Sequence, residues 1–338
     1  MLSVASCADL IRAGSIVAFP TETVYGLGAD ASNDAAVARV FAAKGRPADH
    51  PLIVHVASSA AVSTFASKVP AFAQKLIDAF WPGPLTVILP RHAGVAAASA
   101  GGQASIGLRC PAHPLALELL KACAGLGVHG LAAPSANKFG KVSPTTAQHV
   151  RDEFNDAVPV LDGGPCSVGI ESTIIDCTRG APVLLRPGIL SRTELEAAMG
   201  LKLLSNKELR AHIPIGLEGD LTSNSAVQAA PRASGTLESH YAPHATLRLM
   251  TAPALQTALN LLGEAAVHIA IYSRAILTSK SDKIIRRRMP DDAVATAQQL
   301  FAVLRDFDAQ RVKLIWVETP PDDPAWDGVR DRLERAAA

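Results

Sequence analysis

The residues best suited to chemistry in this sequence follow short apolar runs. The first group, Pro20-Thr-Glu-Thr-Val-Tyr-Gly-Leu-Gly28, places two hydroxyls and a carboxylate beside glycines, which let a backbone approach a ligand closely. The same pattern is typical of an ordinary strand-to-helix turn in which Thr23 caps the next element. Taken alone, this segment favours neither interpretation.

Two cations stand close together in the second group, Phe41-Ala-Ala-Lys-Gly-Arg-Pro47. Gly45 is typical of the residue that ends a helix, so Lys44 and Arg46 could simply complement the helix dipole. An ammonium beside a forked guanidinium also suits a polyphosphate. The sequence has no GxxxxGK[ST] motif, which excludes a P-loop. His55, in the following apolar run, is more typical of a buried core histidine than of a catalyst.

Polar groups also follow the later apolar runs. Arg109 ends the apolar run that begins at Ser105. A guanidinium fixed there would suit a carboxylate or phosphate, but Arg109 could equally be a surface arginine at a strand end. Ser135, Asn137 and Ser143 could cradle phosphate oxygens or form a polar turn. A fifth group comprises Asp162, Ser172, Thr173 and Arg186. Polar and glycine-rich loops gathered at strand ends are typical of ligand sites on sheets.

The elements that must hold these loops are short strands and amphipathic helices. Apolar runs bounded by Gly or Pro predict strands at Ile16–Phe19, Leu85–Leu89, Ser105–Arg109, Gly130–Pro134, Val158–Leu161, Thr173–Asp176 and Val183–Leu185. Helical periodicity predicts helices at about Asn33–Ala43, Ala71–Phe80, Leu115–Ala124 and Thr146–Phe154. This mixture indicates an α/β or α+β domain with a substantial sheet over residues 1–204.

The pattern fails over residues 205–244, where small, polar and turn residues such as those of Ile213–Ser225 show no periodicity. We interpret this stretch as an interdomain linker. Alternation resumes over residues 245–338 and indicates a small βα domain with a parallel sheet. Its predicted strands are Thr246–Met250, Val267–Tyr272, Lys283–Arg288 and Val312–Val317, and its predicted helices are Ala252–Leu262, Asp291–Phe307 and Trp326–Arg335.

Composition narrows the class of protein. The 338 residues are 49% hydrophobic and 19% charged, which favours large buried cores over disorder. A net charge of +1 argues against a function centred on tight RNA binding. The five cysteines form no CxxC pair and no metal-binding spacing. We see neither a signal peptide nor an apolar run long enough to span a bilayer, so we expect a cytoplasmic protein that does not contact membranes.

The motifs together resemble a known family. Pro20-Thr-Glu-Thr-Val-Tyr-Gly-Leu, Lys44-x-Arg46-Pro, Ser135-x-Asn137 and Arg186-Pro-Gly are similar to the YrdC-like domain of threonylcarbamoyl-AMP synthases. The resemblance covers about residues 3–200, and His240-Tyr-Ala-Pro243 resembles the linker motif of the two-domain form. It implies a YrdC-like twisted mixed sheet with helices around a concave basic cavity, followed by a small Rossmann-like α/β domain.

The resemblance also implies residue roles. The residues expected at L-threonine are Thr23, His55, Arg109, Ala133 and Ser172. Those expected at ATP are Arg46, His50, Ser105, Ser135, Asn137, Ser143, Arg186 and Tyr241. Lys44 and Arg46 are the expected catalytic pair, and Tyr241 would act as part of a lid. The family usually has Asn where this chain has His50, whose charge would change near neutral pH.

The implied reaction joins L-threonine, bicarbonate and ATP into threonylcarbamoyl-AMP and pyrophosphate. Mg²⁺ is expected to accompany ATP, without a tightly bound protein metal site. A separate tRNA-modifying transferase would use the product, so any contact with tRNA is expected to be indirect.

Three alternatives stay open. One is an RNA-binding YrdC-like module without synthase activity. A second is a carbamoyl-transfer enzyme of the hydrogenase-maturation type, although such chains carry zinc-finger cysteines that are missing from this sequence. A third gives the C-terminal domain a purely structural or regulatory role, with Lys283–Arg288 as a tRNA or partner patch or simply a solvated strand.

Overall fold

The computed structural model describes residues 2–211, 230–237 and 239–338. The segment Ile213–Ser225, which the sequence assigns to the linker, lies outside the described residues. No helix in the described part of the chain is long and apolar enough to cross a membrane.

A mixed eight-stranded sheet with helices forms the first part of the chain, in the strand order β1-β2-β6-β3-β5-β4-β7-β8. Its strands are β1 (Val17–Phe19), β2 (Gly26–Asp30), β3 (Ile53–His55), β4 (Leu85–Pro90), β5 (Ser105–Arg109), β6 (Leu131–Ala132), β7 (Thr173–Asp176) and β8 (Val183–Arg186). The helices are α1 (Val4–Arg12), α2 (Asp34–Lys44), α3 (Val62–Phe65), α4 (Ala71–Phe80), α5 (Pro114–Gly125), α6 (Ala147–Phe154), α7 (Arg192–Met199) and α8 (Asn206–Ala211). The pairs β3–β5 and β4–β7 are parallel, and the other neighbouring pairs are antiparallel.

A parallel four-stranded sheet forms the second part, in the order β11-β10-β12-β9. Its elements are β9 (Thr246–Met250), α9 (Ala252–Leu262), β10 (Ile269–Ser273), β11 (Ile285–Arg288), α10 (Ala293–Ala309), β12 (Leu314–Glu318) and α11 (Asp327–Ala337). The α/β class and the parallel C-terminal sheet predicted from the sequence are therefore confirmed.

The local sequence explains why Lys44 and Arg46 lie at the end of α2. Asn33 caps the helix by accepting a hydrogen bond from the Ala36 amide at 3.1 Å. Gly45 ends it in the left-handed conformation, with φ of 64°. The chain therefore turns between Lys44 and Arg46, and the two side chains have different partners, Ser135 for Lys44 and Pro51 for Arg46.

The β-strands differ from those predicted from the sequence at three places. Val158–Leu161 is not a strand, since only Val160 bridges to Ala18 and Pro159 has no amide to donate. The sequence pattern missed β2, because Gly26–Asp30 contains residues that are poor strand formers. It also missed β3, which has only three residues.

The basic strand β11 is an exposed edge of the small sheet. Arg287 pairs with Asp306 at 3.0 Å, and Arg288 pairs with Asp291 at 3.1 Å, all with exposed side chains. Charged edge strands discourage pairing with other chains, and exposed ion pairs are weak. This arrangement favours the solvated interpretation of Lys283–Arg288 over a partner patch.

The two parts of the chain share a hydrophobic core. Val24, Val142 and Ile170 from the large-sheet part pack in one cluster with Tyr241 and residues of α10 and α11. Gly169 lies so close to α10 that a Cβ atom there would meet the Ala297 carbonyl oxygen at 2.4 Å. The second domain is therefore packed directly on the loops of the first.

This close approach predicts that Gly169→Ala destabilises the protein more than Gly180→Ala. Both glycines have φ of 83°, but a Cβ at Gly180 would meet no atom within 4 Å. We expect Gly180→Ala to cost about 1 kcal/mol from backbone strain, and Gly169→Ala a further ~1–3 kcal/mol from overpacking. Urea unfolding of both variants measures the difference, and equal losses would contradict the tight domain contact.

Candidate functional site

The loops that the sequence singled out converge on one buried cavity. Its volume is about 40 Å³. Most of the lining comes from the ends of the large sheet, and part comes from the segment before the second domain. The lining residues are Thr21, Val24, Gly26, Arg46, Ile53, His55, Arg109, Ala133, Pro134, Ser135, Glu171, Ser172, Arg186, Ser234, Gly235, His240 and Tyr241.

Arg109 is fixed at one end of this cavity, where β5 ends. Its Nη2 lies 2.7 Å from Glu22 Oε1, and its Nη1 donates to Thr23 Oγ1 at 2.8 Å. A third bond runs from Nε to the Gly83 carbonyl oxygen at 3.3 Å. The guanidinium is 4% exposed, so it is held rigidly in a place where an anion could reach it through the cavity.

His55 lies beside Arg109 at the end of β3. Burial, reinforced by the Arg109 charge, lowers the pKa of His55 to about 3. Its Nδ1 is buried and has no hydrogen-bond partner among the described residues. The imidazole is therefore neutral near pH 7 and can act as a hydrogen-bonding group, but not as a cation.

Two further guanidinium groups line the same cavity, and both donate to Ser234. Arg46 Nη2 donates to the Pro51 carbonyl oxygen at 2.9 Å and to Ser234 Oγ at 3.2 Å. Arg186 Nη1 donates to the Ser234 carbonyl oxygen at 2.9 Å, and its Nη2 donates to that of Ser172, also at 2.9 Å. Burial lowers the pKa of Arg46 to about 10, with Tyr241 opposing and Arg186 adding to the effect. Two buried like charges that share one serine form a site suited to an anion.

Lys44 contributes differently from Arg46. Its side chain is 3% exposed, and Nζ donates to the carbonyl oxygens of Ser135, at 2.6 Å, and of Asn137. Burial, with the charge of Arg46, holds the pKa of Lys44 well below its usual value. Lys44 does not line the cavity; it fixes the loop that carries Ser135 and Asn137.

The rest of that loop is anchored through carboxylates and amides. Ser143 Oγ donates to the Glu171 carboxylate, which lines the cavity. The Asn137 side-chain amide donates to the carbonyl oxygens of Lys138 and Lys141 at 2.7 and 2.9 Å. Asn137 therefore shapes the loop, and Ser143 is linked to the cavity through Glu171.

The structure thus separates the predicted site residues into two groups. Those that line the cavity are Arg46, His55, Arg109, Ala133, Ser135, Ser172, Arg186 and Tyr241. Those that lie behind or beside it are Thr23, Lys44, His50, Ser105, Asn137 and Ser143. Ser105 borders a neighbouring groove together with Ser234, and His50 packs edge-on against Phe139 at 5.4 Å between ring centroids.

Sequence reasoning missed four residues of this region. Glu22 and Glu171 stood within motifs, but nothing in the sequence showed that each would pair with a buried arginine. Ser234 lay in the non-periodic stretch and carried no motif. Arg332 belongs to α11, and nothing in the sequence distinguishes it from an exposed helical arginine. Its side chain is nevertheless fully buried.

Family models match both parts of the chain. A model described as "Telomere recombination", of the Sua5, yciO and yrdC group, matches residues 9–188. A model described as "Threonylcarbamoyl-AMP synthase, C-terminal domain" matches residues 191–338. The chain belongs to the threonylcarbamoyl-AMP synthase family.

Individual relatives match over nearly the whole chain. The threonylcarbamoyl-AMP synthase of Pyrococcus abyssi is 37% identical, covering 98% of this chain and 92% of the relative. That of Bacillus subtilis is 35% identical, covering 99% and 92%. A crystal structure of P. abyssi Sua5 complexed with L-threonine aligns with a TM-score of 0.83 and 34% identity, over 99% of this chain and 94% of that one. The family resemblance and the fold class inferred from the sequence are thereby confirmed.

Carboxylates near the cavity are already engaged by arginines. Glu22 pairs with Arg109, and Glu171 pairs with Arg332 at 2.8 Å. Within the described ranges, no three or more His, Cys, Asp or Glu side chains gather as a metal site would require. A divalent cation at this site would therefore depend mainly on oxygen ligands from a bound phosphate and from water.

The buried histidines predict a loss of stability at mildly acidic pH. The pKa values of His55 and His240 are lowered to about 3, chiefly by burial, from 6.5 in their ordinary state. Between these values the unfolded chain binds more protons, so stability falls as pH drops from about 6.5 towards 3. The slope is about 1.4 kcal/mol per pH unit for each histidine.

Urea unfolding at pH 7 and pH 5 measures this slope. Unfolding of His240→Gln should take up one proton fewer than unfolding of the wild-type protein, so its unfolding free energy should depend less steeply on pH. His129→Gln, which replaces an exposed histidine, should leave the pH dependence unchanged. An identical slope in both variants would show that His240 is protonated in the folded protein.

Proposed function

We propose that this chain is an L-threonylcarbamoyladenylate synthase, which forms threonylcarbamoyl-AMP and pyrophosphate from L-threonine, bicarbonate and ATP. The observation that carries the proposal is the convergence of three buried arginines, Arg46, Arg109 and Arg186, on one small cavity. Full-length similarity to proteins named threonylcarbamoyl-AMP synthase supports the assignment of the substrates.

The threonine site lies at Arg109 in this proposal. The guanidinium, fixed by Glu22 and Thr23, binds the amino-acid carboxylate in a forked geometry. The neutral His55 and the backbone of Ala133 border the rest of the ligand. Ser172 contributes a hydroxyl that is already within 2.7 Å of Thr86 Oγ1. The crystal structure of the P. abyssi relative is a complex with L-threonine, which supports threonine as a ligand of this chain.

The nucleotide site lies at Arg46 and Arg186. These side chains oppose the phosphates, and Ser135, on the loop that Asn137 and Ser143 help to shape, lines the cavity beside them. Lys44 acts by holding that loop, through bonds to the carbonyl oxygens of Ser135 and Asn137. The outer part of the nucleotide is bordered by Ser105, His50 and Tyr241.

The chemistry requires alignment of anions more than covalent help. The amine of threonine and bicarbonate form an N-carboxylate with loss of water, since the new C–N bond replaces a C–O bond of bicarbonate. One oxygen of the N-carboxylate attacks the α-phosphorus of ATP. The bond from the α-phosphorus to the bridging oxygen breaks, and pyrophosphate leaves with the electron pair. Arginines placed around the reacting groups stabilise the charge that develops. Mg²⁺ that arrives with ATP neutralises further charge on the phosphates.

The segment that contains Ser234 and Gly235 acts as a lid. It lies between Arg46 and Arg186, where the hydroxyl and carbonyl oxygens of Ser234 accept hydrogen bonds from the two guanidinium groups. In this proposal, phosphates reach the two arginines only when the segment moves. We assign residues 1–204 as the catalytic domain, 205–244 as linker and lid, and 245–338 as the C-terminal domain. We place the protein in the cytoplasm, upstream of a tRNA-modifying transferase.

The first test of the activity is Arg46→Ala. Loss of one buried guanidinium from the phosphate site should reduce kcat/KM for ATP at least about 100-fold. Pyrophosphate release that depends on both threonine and bicarbonate is the measurement, with the exposed Arg12→Ala as the control. Turnover near the wild-type rate would remove Arg46 from the site. Salt-dependent RNA binding by a wild-type protein without any turnover would favour the RNA-binding module instead.

A second test concerns the lid. Arg232 and Asp49 form an exposed ion pair at 2.6 Å that ties the segment to the large domain, and the five native cysteines are buried. In Asp49→Cys/Arg232→Cys, a short bis-maleimide cross-linker should abolish pyrophosphate release by holding the segment in place. The same variant treated with N-ethylmaleimide should stay active. Full activity of the cross-linked protein would show that the segment need not move.

A further inference from the structure

One arginine of the second domain lies inside the wall of the candidate nucleotide site. Arg332, on α11, is fully buried. Its Nε donates to Glu171 Oε2 at 2.8 Å, and its Nη2 donates to the Glu171 carbonyl oxygen at 3.1 Å. Its Nη1 donates to the Pro187 carbonyl oxygen at 2.9 Å and to Asp331 at 2.6 Å. The guanidinium carbon lies 5.3 Å from the centre of the Tyr241 ring.

These contacts join three segments to which ATP is assigned. Glu171 accepts the hydroxyl of Ser143, Pro187 follows Arg186, and Tyr241 belongs to the linker. A single guanidinium therefore sets the positions of all three relative to one another. The helix that carries this guanidinium, α11, lies outside the large-sheet domain.

Arg332 also determines the charge of Glu171. Burial alone would raise the pKa of Glu171, but Arg332 and then Arg186, with hydrogen bonds from Ser143 and Arg332, outweigh burial and lower it. Glu171 is thus an anion next to a site that is assigned to triphosphate. Without Arg332, its charge would oppose the phosphates and its carboxylate would lose its fixed orientation.

A second arginine from the same domain supports the same loop. Arg305, on α10, donates to the carbonyl oxygens of Val142 and Ser143, the latter at 3.3 Å. It also pairs with Glu153 at 2.8 Å. The backbone and the hydroxyl of Ser143 are consequently both held by groups that depend on the C-terminal domain.

We propose that Arg332 is a positioning residue for ATP, which holds Glu171 and, through it, Ser143, so that the C-terminal domain completes the nucleotide site. This inference rests on the proposed synthase function for the identity of the ligand. It assigns to the second domain a defined part in the site, in place of a purely structural role.

The test measures binding in the full-length protein. Calorimetry gives the Kd for α,β-methylene-ATP and, separately, for L-threonine, and thermal unfolding reports the folded fraction. We expect Arg332→Met to weaken nucleotide binding on the order of tenfold or more, because a buried carboxylate loses its partner. Threonine binding, which depends on Arg109, should change less than twofold. Arg330→Met is the control, since among the described residues that arginine of α11 bonds only within its own domain.

A double substitution separates positioning from general support of the fold. Glu171→Gln removes the uncompensated charge, so Glu171→Gln/Arg332→Met should recover most of the nucleotide affinity that Arg332→Met loses. Pairs that act on the same group are not additive. If Arg332→Met does not fold, Arg332→Lys and the double variant provide the test, because a neutral pair can replace a buried ion pair at lower cost.

Several outcomes overturn the inference. Wild-type nucleotide affinity in folded Arg332→Met would do so, and so would parallel losses for both ligands that Glu171→Gln does not relieve. Wild-type protein that binds the ATP analogue but releases no pyrophosphate with threonine and bicarbonate would contradict the proposed function alone. The calorimetric comparison would then still decide the role of Arg332.

Discussion

Several like charges are buried around one small cavity, and the surrounding structure must compensate them. Arg46, Arg109, Arg186 and Arg332 are all nearly inaccessible to solvent. A buried charge is tolerated only where opposite charges or hydrogen-bond acceptors surround it. Glu22 and Glu171 supply two carboxylates, and carbonyl oxygens at the ends of strands supply most of the remainder.

This requirement explains why the site is made of strand ends and turns. Carbonyl oxygens inside a sheet are used by neighbouring strands, whereas those of Gly83, Pro51 and Ser172 are free to accept from guanidinium groups. The loops therefore do two things at once, since they compensate the cations and leave them directed into the cavity. The second domain extends the same pattern, because Arg332 of α11 pairs with the buried carboxylate of Glu171.

The sequence was informative where the physics is local. The strand Ser105–Arg109, the helix Ala71–Phe80 and the strand Thr246–Met250 have the predicted bounds, because periodicity and flanking Pro or Gly determine them. Residue composition predicted short strands less well: the glycine-containing β2 and the three-residue β3 were both missed. Motif residues such as Arg46 and Arg109 line the cavity, but the sequence did not indicate the partners that orient them. Glu22, Ser234 and Arg332 meet the site only through contacts distant in sequence, and no period or spacing encodes such contacts.

The position of Ser234 has a consequence for affinity. Its hydroxyl and carbonyl oxygens accept hydrogen bonds from Arg46 and Arg186, so part of the donor capacity of these two guanidinium groups is already used within the protein. In the proposed lid arrangement, a nucleotide binds only in the fraction of molecules in which the segment has moved away, so its observed dissociation constant would equal the intrinsic value divided by that fraction. The segment that contains Ser234 would then compete internally with any anion for Arg46 and Arg186.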